Sequence, residues 1–178
     1  MIVKYNSKER ELLARIMRAE AVGEGNLGML MVGNVVINRV LANCLTFTNV
    51  TTITDALYQA NQFSGVDSPL FFSNPTTSEL NLADRILRGE YYYPATNALW
   101  FYAPSANESC KITWYDQDLA GRYKSHCFYN PDPGVCEQIH WKTNYVFSWF
   151  FYITNTWPML NKLLVKLFFL LISSTVVL

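Results

Sequence analysis

The chain has no CxxC pair, no block of basic residues and no uncharged apolar run of the roughly 20 residues that a membrane-spanning helix needs. Without CxxC the usual spacing of a zinc site is missing, and neither a metal nor a cofactor is expected. Without a basic block or a basic-aromatic stripe, nucleic acid is not an expected partner. The first ten residues, Met1 to Arg10, are polar and lack the apolar h-region of a secretory signal. The expectation is a protein that stays, at first, in the compartment where it is made. No internal repeat or low-complexity tract interrupts the chain.

What is present is enough for one domain with a real core, in 178 residues that are 51% hydrophobic. All 14 acidic residues and 11 of the 14 basic ones lie in residues 1–141, a net of −3, whereas Lys142, Lys162 and Lys166 leave residues 142–178 at +3. A mildly acidic body suits a neutral or weakly charged ligand such as a glycan. Cysteines stand at 44, 110, 127 and 136. Their even number permits two disulfides, with Cys110, Cys127 and Cys136 able to cross-link late in an oxidising layer. A chain read as lacking a secretory leader is nevertheless expected to keep its thiols reduced.

Apolar residues at Leu12, Leu13, Ile16 and Met17 carry the three- and four-residue spacing of a helix face turned to a core. That helix is predicted over Lys8 to Ala21, with Gly23-Glu24-Gly25-Asn26 breaking it. Glu20 follows Met17 by three residues and Ile16 by four, so it continues the stripe. A carboxyl group there is partly desolvated, its pKa rises, and it can carry a proton near neutral pH, as a general acid must. The other reading is a helix-end Glu that snorkels or pairs with Arg15 or Arg18.

A second helix is predicted over Leu27 to Leu41, in which Gly28 and Gly33 allow another backbone to approach. Asn34 and Asn38 share one face, followed by Arg39, and Asn38 is placed to line a cleft. Thr52 to Gln59 and Thr77 to Gly89 read as further helices. Leu99-Trp100-Phe101-Tyr102 is strand-like, Trp114-Tyr115 is another aromatic pair, and Trp100 and Trp114 are expected in the core. Helices followed by short strands give an α+β fold. Residues 1–141 form the expected domain. Residues 142–178 form a hydrophobic extension of unassigned role, and a membrane contact through 146–178 is one reading of it, with Trp149 and Trp157 as interfacial anchors.

These residues resemble a known family. The stretches Leu13-Ala-Arg-Ile-Met-Arg-Ala-Glu20-Ala-Val-Gly-Glu24-Gly25 and Val32-Gly-Asn-Val-Val-Ile-Asn38-Arg39-Val40 carry the likeness. It continues through Gln62-Phe63, Trp100-Phe101-Tyr102-Ala103-Pro104 and Gly121-Arg-Tyr-Lys-Ser-His126-Cys-Phe-Tyr129. Over residues 8 to 140 the chain is similar to the SleB/CwlJ-like cell wall hydrolases, the spore cortex-lytic enzymes, and looks closest to the CwlJ-like branch. The resemblance implies a lysozyme-like fold: a helical lobe and a small antiparallel sheet around a glycan groove. It implies cortex peptidoglycan with muramic lactam as substrate, cleaved during germination by a lytic transglycosylase. It also implies synthesis in the mother cell, assembly at the coat–cortex boundary and a coat protein as anchor.

By the same resemblance the catalytic Glu falls on Glu20, in agreement with the helix argument. One carboxyl group can serve a transglycosylase, whereas a glycoside hydrolase needs a second at about 5–5.5 Å or about 6.5–9.5 Å. Glu24 is nearest in sequence but cannot easily flank a sugar from the same helix, and is read as an orienting group. Gln62 offers an amide and Phe63 a ring to a sugar, and Tyr102 a hydroxyl. His126 is open between binding sugar, orienting Glu20 and a structural role. With Tyr129 and Asn38 these complete the expected substrate-binding set. A Cys–His hydrolase using Cys127 or Cys44 with His126 is the rival chemistry, weakened because neighbours on a strand point to opposite faces. An N-acetylglucosaminidase- or muramidase-type hydrolase or an amidase of the same substrate, and a non-catalytic glycan-binding spore coat protein, are the further alternatives.

Overall fold

The computed structural model describes residues 3–140. The expected extension over 142–178, with its membrane contact, lies outside the described residues. Helix α1 spans Ser7–Ala21 and starts at a capping box: the Asn6 side chain accepts from the Glu9 N–H at 3.1 Å, and the Glu9 carboxylate accepts from the Asn6 N–H at 3.2 Å. Two more helices begin the same way, α3 (Ile53–Tyr58) on Thr52 and Asp55, and α5 (Thr77–Leu87) on Thr76 and Glu79. The short α4 (Pro69–Phe72) opens on a proline at its first turn.

After α1, a single 3-10 turn at Val22–Glu24 redirects the chain into α2, Gly25–Ala42. The predicted break is therefore a bend between two helices. From Met29 to Arg39 every residue of α2 is buried, which makes it the central rod rather than an amphipathic surface helix. Gly33 lets α1 and α5 close on it, since a β-carbon there would meet Ile86 Cγ1 at 2.9 Å and Met17 Sδ at 3.0 Å. By length and composition Ser7–Ala42 could cross a membrane, but 72% of its apolar window is packed inside the fold.

Four strands follow: β1 (Trp100–Tyr102), β2 (Thr113–Trp114), β3 (Gln117–Tyr123) and β4 (His126–Asn130). They form one antiparallel sheet in the order β1-β4-β3-β2. The architecture is α+β, as expected. Phe101 and Phe128 are register partners and face the helices, where Phe128 packs with Met31 and Val35 of α2. Tyr102, Cys127 and Tyr129 belong to the opposite face.

The expectation of reduced thiols is overturned. Cys44 is bonded to Cys136 and Cys110 to Cys127. The first bond ties the end of α2 to the start of α6 (Glu137–His140), and the second ties the loop before β2 to β4. Their Cα atoms lie 5.5 and 5.7 Å apart, a separation made by the fold and invisible in the spacing of the cysteines.

Candidate active site

Glu20 occupies the last turn of α1, on the stripe set by Ile16 and Met17, both fully buried. It pairs with neither nearby arginine. Arg18 is bound to Glu79 at 3.0 Å and to the Leu70, Ser73 and Asn74 carbonyls, and Arg15 reaches Glu11 and Asn74. The partner of Glu20 is instead the Gly65 N–H, which donates to Oε1 at 2.6 Å. Gly65 belongs to a 3-10 turn at Ser64–Asp67 that presses against the end of α1. A β-carbon on Gly65 would come within 2.8 Å of that same oxygen, so glycine is required for the approach. Burial raises the Glu20 pKa, opposed by the Gly65 hydrogen bond and by attraction to Arg39. The carboxyl group is thus poised to hold a proton above the ordinary carboxylate range.

Glu20 opens onto a cavity of about 780 Å³ between the helices and the sheet. Arg39, Asn61, Gln62 and Ser64 line its helical side; Trp100, Phe101, Tyr102, Trp114, Tyr115, Gln117 and His126 line the other. Among the described lining residues Glu20 is the one carboxylate. The aromatic side is a run of rings: Trp114 lies 4.8 Å from Tyr102 and 5.0 Å from Tyr115 between centroids, and Tyr102 stacks on Tyr129 at 5.8 Å. Tyr115 and Asp116 form the two-residue β2–β3 hairpin, both with positive φ (51° and 61°), and Tyr115 is 81% exposed at the mouth. A bulky residue in that conformation is a conformational outlier that tertiary context must hold. Rings in this arrangement offer flat apolar faces to sugar rings, with the Tyr102 hydroxyl and the Gln62 and Gln117 amides beside them.

Of the expected binding set, Gln62, Tyr102 and His126 line the cavity with Glu20. His126 is 6% exposed, its Nδ1 has no hydrogen-bond partner among the described residues, and its ring lies 5.2 Å from that of Phe101. Burial lowers its pKa, opposed by attraction to Glu24, so at neutral pH it is a neutral imidazole. Glu24 stands outside the lining. Its carboxylate accepts from the Ser125 N–H at 3.2 Å and from the Ser125 hydroxyl, and the Lys124 ammonium donates to its carbonyl at 2.6 Å. Glu24 therefore joins the bend after α1 to the β3–β4 turn.

Three placements need correction. Asn38, expected on a cleft wall, is fully buried and donates to the Ala95, Thr96 and Ala98 carbonyls at 2.9–3.2 Å. With Asn34, which binds the Glu90 carbonyl and the Tyr92 N–H, it fastens the segment that leads into β1. Phe63 is 4% exposed and lies beneath the Arg39 guanidinium, 4.4 Å from its ring centroid, rather than against ligand space. Tyr129 is fully buried and donates its hydroxyl to the Lys111 carbonyl at 2.9 Å. Conversely, Trp100 and Trp114, expected in the core, line the cavity. Cys127 and Cys44 are in disulfides, which removes the thiol that a Cys–His hydrolase requires.

The sequence reading missed Arg39, Gly65 and Tyr115. An arginine inside an otherwise apolar helix was the available signal for the first. The other two depend on which loops meet the end of α1 and the sheet edge.

A family model described as Cell Wall Hydrolase matches residues 23–129. The match begins just beyond Glu20. Curated relatives include Cell wall hydrolase CwlJ of Oceanobacillus iheyensis, 49% identical over 139 residues, which are 78% of this chain and 97% of the relative. Cell wall hydrolase CwlJ of Bacillus subtilis is 42% identical over 139 residues, 78% and 96% of the two chains. Among solved structures, the catalytic domain of the germination-specific lytic transglycosylase SleB from Bacillus anthracis is similar with a TM-score of 0.55 at 21% identity, covering 71% of this chain and 97% of that one. The catalytic domain of the Bacillus cereus SleB protein gives a TM-score of 0.56 at 22% identity, over 73% and 97%. At such identities the structural likeness speaks for the fold.

Proposed function

This chain belongs to the cell wall hydrolase family and is a peptidoglycan-cleaving enzyme, and we propose that it degrades spore cortex during germination as a lytic transglycosylase with Glu20 as acid and base. The observation that carries this reading is a carboxylate, held and partly desolvated and single among the described lining residues, in a groove rich in amides and aromatic rings, with Arg39 and His126 also in its lining. Protonated Glu20 donates to the glycosidic oxygen as the C1–O bond breaks through an oxocarbenium-like state. The resulting carboxylate then takes the proton from the muramoyl C6 hydroxyl, whose oxygen bonds to C1, and the anhydro sugar closes. Protons balance, and Glu20 returns to its starting state without water as a reactant. Glu24, engaged by Ser125, is not available to activate a water opposite Glu20.

The names of the relatives, cell wall hydrolase and germination-specific lytic transglycosylase, together with the groove support peptidoglycan as the substrate and germination as the setting; cortex as the layer, the coat–cortex boundary as the site of action and a coat protein as anchor are parts of the same proposal. Mass spectrometry of muropeptides released from decoated cortex tests the chemistry. The reading expects anhydro-muramoyl ends from the wild type and none from Glu20→Gln. Reducing-end sugars would replace it with hydrolysis and a second carboxylate, and cleaved stem peptides with an amidase. Cortex binding without any Glu20-dependent product would replace it with a glycan-binding role.

A further inference from the structure

The floor of the groove holds a cation that the reaction above does not use. Arg39 lies in the last turn of α2, inside an apolar rod, and is 2% exposed. Its Nε donates to the Leu99 carbonyl at 2.8 Å, and its guanidinium sits over the Phe63 and Phe47 rings, 4.4 and 5.2 Å from their centroids. Cation–π contacts and one carbonyl are a partial replacement for water around a guanidinium. Its Nη1 is buried with no hydrogen-bond partner among the described residues, although five donors are to be satisfied. Burial pushes the Arg39 pKa down to about 9, with Glu20 opposing, so the group remains a cation at neutral pH.

Two links run from this cation to Glu20. Both side chains line the same cavity, where Arg39 is the one arginine or lysine among the described lining residues. Phe63, on which the guanidinium stacks, stands two residues before Gly65, whose N–H holds the Glu20 carboxylate. Other charges on α1 and on the elements packed against it are engaged elsewhere: Arg18 with Glu79, Arg15 with Glu11, Arg10 with Asp84, Glu24 with Ser125, Asp55 with Thr51 and Thr52. Asp67 is exposed on its turn, and His126 across the cavity is neutral.

We propose that Arg39 is the positioning residue for Glu20: stacked on Phe63, it fixes the Gln62–Gly65 segment against the carboxylate and supplies the buried positive charge that lets Glu20 give up its proton and take one back. Burial alone favours the protonated form and would stall the carboxylate half of the cycle. Arg39 opposes it, so the same group serves as acid and then as base. The proposal rests on the acid–base role of Glu20.

The test is the pH dependence of kcat/KM for cortex muropeptide release by the full chain, with Arg39→Gln, Arg39→Met and Arg39→Lys. Arg39→Gln keeps an amide donor for the Leu99 carbonyl, and thermal melts identify which neutral variants fold. Losing the cation raises the Glu20 pKa, so the basic limb moves to higher pH, by on the order of half to one unit, and kcat falls about tenfold or more. Arg39→Lys behaves as a further neutral variant, because the burial that lowers the guanidinium pKa leaves an ammonium at this site largely uncharged near neutral pH, so its limb moves up as well. A folded neutral variant whose basic limb stays put would overturn the proposal. An unmoved limb in a folded Arg39→Lys would do the same, even if Arg39→Gln and Arg39→Met fail to fold. A wild type lacking any Glu20-dependent product would instead overturn the reading of Glu20 itself, whatever residue 39 does.

Discussion

Glu20 and Trp114 line the same cavity and are held there by different means. Glu20 comes from a 15-residue helix capped at its start, packed on a fully buried rod and fixed by a backbone N–H. Trp114 comes from a two-residue strand next to a hairpin whose Tyr115 has positive φ, and ring contacts with Tyr102, Tyr115 and Tyr129 set its position. The helical side concentrates burial and fixed charge, which are what a proton-transferring group needs. The sheet side presents half-buried rings and the exposed Tyr115 on short, locally strained backbone, which suits recognition of a repeating saccharide. On the proposed reading the chemistry belongs to the floor and the grip to the wall.

Separating the two sides by mutation sharpens this contrast, and the largest effect concerns the disulfides. Replacing Cys44 and Cys136 with Ser opens a cross-link between residues 92 apart, beneath the floor, and is expected to cost about 4–5 kcal/mol in a denaturant melt. The Cys110–Cys127 link spans 17 residues behind the wall, so its loss is expected to cost about 3 kcal/mol and to raise KM more than the first. Equal effects of the two on KM would break the division. Asn38→Ala removes three bonds to the 95–98 segment and should lower stability by about 1–3 kcal/mol. Its KM should stay at the wild-type value, whereas a KM defect without a stability loss would return Asn38 to the ligand.

Smaller changes follow on the wall and at the joint. Trp114→Ala is expected to raise KM about tenfold, consistent with about 0.5–1.5 kcal/mol for a ring contact, with kcat within threefold and little change in melting temperature. A fall in kcat at unchanged KM would contradict a binding role. Glu24→Gln tests the joint between bend and sheet. Partial burial pushes the Glu24 pKa up, but hydrogen bonds from Ser125 and attraction to His126 and Lys124 hold it below the ordinary value. A carboxylate depressed in the folded state stabilises above its unfolded pKa, and that stability is lost as pH falls through the folded value. The variant should therefore melt lower than the wild type at pH 7, by about 0.5–1 kcal/mol, and converge with it in acid. A difference that persists in acid would assign the effect to packing.

Helix α3 was legible from the threonine at its start, which can cap it, and α1 from the helical spacing of Leu12, Leu13, Ile16 and Met17. Glu20 was legible for the same reason, since it interrupts a core-facing stripe with a carboxylate. The wall was not. Whether Trp114 packs inward or lines a groove depends on strand register and on the Cys110–Cys127 link, and neither is encoded in local periodicity. Asn38 and Phe63 carried a familiar motif but serve as scaffold, because their partners, the 95–98 carbonyls and the Arg39 guanidinium, are joined to them only by tertiary folding.

The most direct measurement compares Glu20→Gln with the wild type for two quantities on one cortex glycan preparation: binding and release of anhydro-muramoyl products. A floor that performs the chemistry and a wall that holds the strand predict binding within about threefold of the wild type and turnover reduced about 10³-fold or more, in line with the loss of a general acid–base group. Product release persisting in a folded Glu20→Gln variant would contradict the account.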